Sequence, residues 1–302
     1  MLVLVTGGAG FIGSHIVDRL LTDGHTVRVL DDFSTGKREN LPQHQNLDVV
    51  TGDVGDFVTV SQASSGVKLV FHEAAVASVP RTVGDPLGSQ RTNYLGTLNV
   101  LEAARQSGVK RVVIAASAAA YGDLPESPKR EDMPIKPLSP YATDKIASEH
   151  ACQVYHLLYG LETVCLRYFN VYGPRQDPSS PYSGVISIFA DCLARGEMPT
   201  IFGDGGQTRD FVYVADVVEA NMRAAHVPVA AGEVFNIATG NACSLNDLLR
   251  TLCALHGVPF APGYKPERSG DIRHSCADVG KARAILGWSA EVDLEHGLAK
   301  ME

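Results

Sequence analysis

Tyr141 and Lys145 stand four residues apart, and Ser117 closes an apolar run well upstream of them. A phenol and an ammonium at i and i+4 of a helix are neighbours on one face. A phenol titrates near ~10 in water, so it can act as a base near neutrality only with a cation beside it. Ser117 would place a hydroxyl at the mouth of the sheet. Tyr-x-x-x-Lys is common by chance, so this pair takes its meaning from what surrounds it. The strongest surrounding signal is Thr6-Gly7-Gly8-Ala9-Gly10-Phe11-Ile12-Gly13. It lies between an apolar run over 2–5 and a helix-like pattern over 11–21, so the glycines occupy a strand-to-helix turn. A helix N-terminus offers unpaired N–H groups and partial positive charge, and glycine lets a pyrophosphate approach the backbone. The turn reads as a dinucleotide cradle.

The next strand, over 25–30, ends in Asp31, about where a ribose-binding carboxylate is expected after such a turn. A carboxylate there accepts from the ribose hydroxyls and repels a 2′-phosphate, which favours NAD over NADP. Lys37 and Arg38 follow in a loop and could soften that preference, although they read first as solvated charges.

The elements that must position these groups alternate. Strand-like runs at 47–50, 68–72 and 111–115 are interleaved with helical stretches at Phe57–Ala63 and 92–106, the sequence form of a doubly wound parallel sheet. Ligands in such sheets sit at the carboxyl ends of the strands. After the third strand, Asp53 either meets the adenine amino group or caps the following helix. After the fourth come His72, Glu73, Ala74 and Ala75; the alanines leave room for a flat cofactor, and His72 reads as a packed strand-end residue. The fifth ends at Ser117. A proline- and charge-rich loop, 123–140, covers the site, and a helix begins near Ser139-Pro140 with Tyr141 and Lys145 on its first face. A sixth strand over 163–169 leads to Asn170, after which the rhythm breaks. Turn-rich stretches at 173–184 and 198–210 alternate with helices at 186–194, 214–225 and 244–256. We read a smaller lobe there, with Arg209, Arg268 and Asp271 in its loops.

The 302 residues, 45% hydrophobic and 20% charged, suffice for one large α/β domain with an appendage. A formal net charge of −8 argues against a general nucleic-acid binder. The six cysteines show neither C-x-x-C spacing nor a His cluster, so no metal site is expected and the thiols read as core residues of a reduced protein. The chain opens directly on its first strand, leaving no room for a signal peptide, and no apolar run approaches the ~20 residues that span a bilayer. A soluble, cytoplasmic protein is expected.

Taken in order, Thr6–Gly13, Ser117 with Tyr121-Gly122, Tyr141-Ala-Thr-Asp-Lys145, Arg167-Tyr-Phe-Asn-Val-Tyr-Gly-Pro174, Gly203-Asp-Gly with Arg209-Asp-Phe, and Arg268-Ser-Gly-Asp271 resemble the extended short-chain dehydrogenase/reductase superfamily, and more closely its nucleotide-sugar 4-epimerases. The resemblance runs across nearly the whole chain. It implies an α/β fold with a Rossmann-type doubly wound parallel sheet and a smaller, interleaved C-terminal substrate-binding lobe. The division implied is 1–170 for NAD, with parts of 203–240 returning to it, and mainly 171–302 for substrate.

The resemblance also assigns roles. Tyr141 is the general base, assisted by Lys145 and Ser117. NAD is held by Gly7, Gly10, Phe11, Ile12, Gly13, Asp31, Asp32, Asp53, Val54, Ala74, Ala75, Asn93, Tyr141 and Lys145. A UDP-sugar is held by Ser78, Ser117, Asn170, Arg209, Arg268, Asp271 and Ser275. Related dehydratases and decarboxylases carry an acid before the Tyr-Gly of the fifth strand; here Ala118, Ala119 and Ala120 stand there. The implied reaction is 4-epimerisation, gluco to galacto, through a transient 4-keto sugar with NAD retained. A UDP-glucuronate 4-epimerase and a net oxidoreductase remain alternatives, and a non-catalytic dinucleotide sensor a remote one. Ser275, where a bulky Tyr resembles glucose-restricted enzymes, points to N-acetylated hexoses as further substrates. Family members pair through helices corresponding to 92–106 and 141–158, which implies a homodimer.

Overall fold

The computed structural model describes residues 1–177, 184–267 and 272–301; Arg268 and Asp271 therefore lie outside the described residues. In chain order the first half runs β1 (Leu2–Thr6), α1 (Phe11–Thr22), β2 (Thr26–Asp31), β3 (Leu47–Thr51), α2 (Phe57–Ala63), β4 (Leu69–His72), α3 (Val79–Gly84), α4 (Pro86–Gln90), α5 (Gly96–Ser107), β5 (Arg111–Ser117), α6 (Pro140–Tyr159) and β6 (Glu162–Tyr168). The second half runs β7 (Asn170–Tyr172), α7 (Val185–Ala194), β8 (Thr200–Phe202), β9 (Thr208–Tyr213), α8 (Val214–His226), β10 (Val234–Ile237), β11 (Ala242–Ser244), α9 (Leu245–Leu255), β12 (Gly263–Lys265) and α10 (Leu294–Ala299).

Seven strands form one sheet in the order β10-β6-β5-β4-β1-β2-β3, every adjacent pair parallel. Alternation along each strand decides which face a side chain covers. Val3 and Val5 of β1 pack with Ile16 and Leu20 of α1 and Val217 of α8, whereas Leu4 packs with Val60 of α2 and Leu101 and Ala104 of α5. Both faces are thus buried, as a parallel sheet requires. The direction of winding reverses between β1 and β4, which opens a crevice at their carboxyl ends.

The expected fold class is what the chain adopts. Three features differ from expectation. The stretch 198–210 contains β8 and the start of β9, strands too short or too charged to show as apolar runs. The seventh strand, β10, was hidden because the fully buried Asn236 interrupts its apolar pattern. The helix expected over 92–106 begins as a π turn, Arg91–Leu95, before α5. A third cluster, with Tyr172, Ile186, Phe189, Leu248 and Leu252, forms around the small β11-β9-β7 sheet. Among the described residues no helix is long and apolar enough to cross a membrane.

Candidate active site

The turn between β1 and α1 is built on two close approaches. Gly7 has φ 69°, and a Cβ there would come within 2.6 Å of the Ala74 amide nitrogen. A Cβ on Gly13 would run into the Gly7 carbonyl. Backbone crowds both positions, so only glycine keeps α1 this close to β1 and β4. Gly10 is the N-cap of α1, and no side chain caps that helix. The first-turn N–H groups of Phe11, Ile12 and Gly13 therefore face the crevice with the positive end of the helix.

Asp31 is buried at the end of β2. Its two carboxylate oxygens accept from the N–H groups of Ala9 at 2.9 Å and Phe33 at 2.8 Å. Burial raises its pKa while the two N–H bonds oppose the rise. Each oxygen keeps lone-pair capacity for a ribose hydroxyl. Asn40, which sequence reasoning missed, donates to the Ala9 carbonyl at 2.9 Å and ties the following loop over the glycines. An uncapped helix end, a glycine turn and a buried acceptor pair fit a dinucleotide.

The other residues expected at the cofactor lie beyond the carboxyl ends of β2, β3 and β4, with Asn93 in the π turn before α5. Asp32 is exposed and accepts from the N–H and hydroxyl of Ser34. Asp53 accepts from the Gly55 N–H and pairs with Arg91 at 3.3 Å; the cap of α2 is Asp56, so the alternative reading of Asp53 as that cap is corrected. Val54 packs buried, with its carbonyl held by Asn99. Asn93 accepts from the Val76 N–H at 2.7 Å and fixes the loop that carries Ala74 and Ala75. Ser78 caps α3.

His72 is a satisfied core residue, as expected. Thr97 spends its hydroxyl proton on the Asn93 carbonyl at 2.6 Å, so His72 Nε2–H donates to Thr97 at 3.0 Å and Nδ1 accepts from Thr6 at 2.7 Å. Burial first, then Lys145, drives the imidazole down to about 3, so it stays neutral at working pH. Glu73, next in sequence, accepts from the Tyr168 hydroxyl at 2.9 Å.

β5 carries Ser117 to the carboxyl edge, where its hydroxyl accepts from the Ala119 N–H at 3.2 Å. Ser139 caps α6 through the Ala142 N–H, with Pro140 at the first turn, as the sequence predicts. That start places Tyr141, Lys145 and Glu149 along one stripe. The Lys145 ammonium lies 5.9 Å from the centre of the Tyr141 ring and donates to the Ala115 carbonyl of β5 at 2.6 Å. Glu149 accepts from Arg167 of β6 at 2.8 and 2.9 Å in a buried, bidentate pair. Arg167 also donates to the Tyr121 hydroxyl at 2.9 Å, which donates to Asn236 of β10 at 2.6 Å. This chain of contacts pins the helix bearing Tyr141 and Lys145 to the sheet, and no local pattern announces it. Ala118, Ala119 and Ala120 form a short 3₁₀ turn beside Ser117 and bring no carboxyl group.

In the small β11-β9-β7 sheet Asn170 opens β7 and donates to the Asp210 carbonyl at 3.3 Å. Arg209 on β9 donates to the Ile272 carbonyl at 2.6 Å. Asp210 gathers N–H groups from Thr239, Gly240 and Ala277 at 2.8, 2.9 and 3.2 Å. It thereby fixes the half-buried segment that carries Ser275, whose N–H donates to the Thr208 carbonyl at 3.1 Å. Sequence reasoning passed over Asp210 because its donors come from segments remote in the chain.

Residues 3–238 match the model of the NAD dependent epimerase/dehydratase family. The chain belongs to the NAD-dependent epimerase/dehydratase family. Within that epimerase/dehydratase family it is 45% identical over 305 residues to a UDP-glucose 4-epimerase of Mycolicibacterium smegmatis, covering 99% of this chain and 97% of the other. Among solved structures, the UDP-glucose 4-epimerase of Thermotoga maritima with UDP-glucose is 42% identical, with a TM-score of 0.95 over 100% of this chain and 97% of that one. The UDP-N-acetylglucosamine 4-epimerase of Methanobrevibacter ruminantium M1, in complex with UDP-N-acetylmuramic acid, is 39% identical, with a TM-score of 0.95 over 99% and 96%.

Proposed function

We propose that the protein is an NAD-dependent UDP-hexose 4-epimerase that interconverts UDP-glucose and UDP-galactose, and UDP-GlcNAc and UDP-GalNAc. The observation that carries this reading is Ser117, Tyr141 and Lys145 at one carboxyl edge, beside a dinucleotide groove and without the extra carboxyl group that elimination needs at 118–120. Such a set moves one proton at a sugar hydroxyl and nothing more.

Tyr141 takes the proton of the 4-hydroxyl and later returns it to the same oxygen. Lys145 sets its ammonium beside the reacting phenol, and Ser117 holds the reacting oxygen. Bound in the groove, NAD supplies an acceptor and donor for the C-4 hydride. Asn170 and Arg209, with Arg268 and Asp271 by resemblance, hold the nucleotide diphosphate while the hexose turns over. A substrate deuterated at C-4 tests this. The label should stay on C-4 of the galacto product in ordinary water; its transfer to added NAD would instead support a net oxidoreductase.

Ser275 sets the width of the sugar pocket in this reading. Placing Tyr there overpacks a site that accepts an acetamido group, at a cost of about 1–3 kcal/mol. We expect Ser275→Tyr to lower kcat/KM for UDP-GlcNAc about 10- to 100-fold with UDP-glucose largely spared. Equal losses on both substrates would remove Ser275 from specificity.

A homodimer through α5 and α6 is part of the proposal. Val154, Leu157 and Leu158 share one face of α6, and Leu157 is 80% exposed in the single chain. Leu157→Glu should shift the sedimenting species to a monomer; an unchanged mass would show that this face is not the contact. All six thiols are free, which supports a reducing, cytoplasmic location.

A further inference from the structure

Glu73 is a carboxyl group that the proton chemistry above does not use. A dinucleotide with its ribose at Asp31 on β2 and its reactive end at Ser117 on β5 must cross β1 and β4, because the strands stand in that order. Glu73 is the first residue beyond β4, and its N–H is fixed to the Thr6 carbonyl at 3.1 Å. It therefore lies under the part of the groove that leads to Ser117 and Lys145.

Its surroundings allow two proton arrangements. With the carboxylate ionised, Tyr168 donates to Glu73 at 2.9 Å and Asn221 donates to the Tyr168 oxygen at 2.8 Å. In that arrangement the buried Asn221 Oδ1 has no hydrogen-bond partner among the described residues. With Glu73 protonated, Tyr168 can keep donating to the remaining carbonyl oxygen of the acid, while Asn221 Nδ2 stays between the Tyr168 oxygen and the Val217 carbonyl, the latter at 2.9 Å. The groups acting on Glu73 are the Tyr168 phenol from β6 and Lys145 from α6; Asn221 from α8 touches Tyr168 and is uncharged, and His72, the residue before it, is neutral. Burial raises the carboxyl to about 7, against the opposing pull of Tyr168 and Lys145. The Tyr168 phenol itself is held well above its usual range by burial and by Glu73.

We propose that Glu73 is the positioning residue that sets the preference of this site for oxidised over reduced nicotinamide, its carboxylate favouring the cationic ring over the neutral one. This inference rests on the NAD reading. Its sign follows from linkage. A cation binding beside a half-ionised carboxyl stabilises the charged form and releases its proton to solvent; a neutral ring does not. As pH rises through about 7, NAD⁺ must tighten relative to NADH.

The test equilibrates the purified protein against NAD⁺/NADH mixtures of fixed ratio and reads the composition of the bound nucleotide. From about pH 6 to about pH 8.5 the bound NAD⁺/NADH ratio should rise about tenfold, which corresponds to a one-unit change in a pKa. Glu73→Gln should hold the low-pH ratio throughout. Tyr168→Phe removes a donor that stabilises the carboxylate, so it should keep the response and move its midpoint upward; this variant also separates the electrostatic effect from misfolding. A flat ratio in the parent protein, or an equal slope in Glu73→Gln, would overturn the inference while NAD binding stands. Failure of the parent to retain either nucleotide would sink the NAD reading and the inference with it.

Discussion

Tyr141→Phe lowers the rate of epimerisation by between about 10² and 10⁴, the contribution of a positioned acid–base group, and leaves NAD and UDP-sugar binding unchanged. The substitution deletes one oxygen. The ring stays at the start of α6 against Lys145, whose ammonium remains on the Ala115 carbonyl. Because binding and chemistry separate, kcat falls and KM holds. Initial rates with equilibrium binding of the same preparation check both halves. A rate within a factor of about ten of the parent would remove Tyr141 from the proton path.

Gly13→Ala acts on the cofactor. The new methyl would meet the Gly7 carbonyl, with the Gly7 carbonyl carbon and Gly8 Cα both at 2.9 Å. All three are backbone atoms, so no side-chain rotation relieves the clash. α1 must withdraw from β1, and the first-turn N–H groups leave the place where a diphosphate is held. We expect NAD affinity to fall at least about 100-fold, or about 2.8 kcal/mol. The nucleotide released from the purified variant by acid should be a small fraction of the parent's. An NAD content equal to the parent's would contradict the geometry assigned to the cradle.

Much of this site could be read before any coordinates. The glycine turn, Asp31, Ser117 and the Tyr141–Lys145 pair are encoded locally, by spacing on one element or at one strand end. The sheet was legible where strands are uniformly apolar, as over 112–116 of β5, and hidden where a buried polar residue breaks the run, as Asn236 does in β10. The supporting network was invisible for a different reason. Glu149 meets Arg167 across a helix–strand contact, Glu73 meets Tyr168 across 95 residues, and Asp210 collects donors from loops beyond β10. No periodicity links such partners; only the fold brings them together. The tetrapeptide His72-Glu73-Ala74-Ala75 illustrates the limit. Its alanines advertise a flat neighbour, but the character of its acid depends on burial and on groups from β6 and α6.

A redox-neutral inversion at C-4 with retained NAD needs no cofactor from solution. It is tested most directly by incubating the purified protein, with no added cofactor, separately with UDP-glucose, UDP-GlcNAc and UDP-glucuronate, and following each anomeric proton by NMR. Galacto products are expected from UDP-glucose and UDP-GlcNAc at equilibrium proportions, with no keto sugar accumulating. No product until NAD is supplied, followed by stoichiometric NADH and an oxidised sugar, would contradict it.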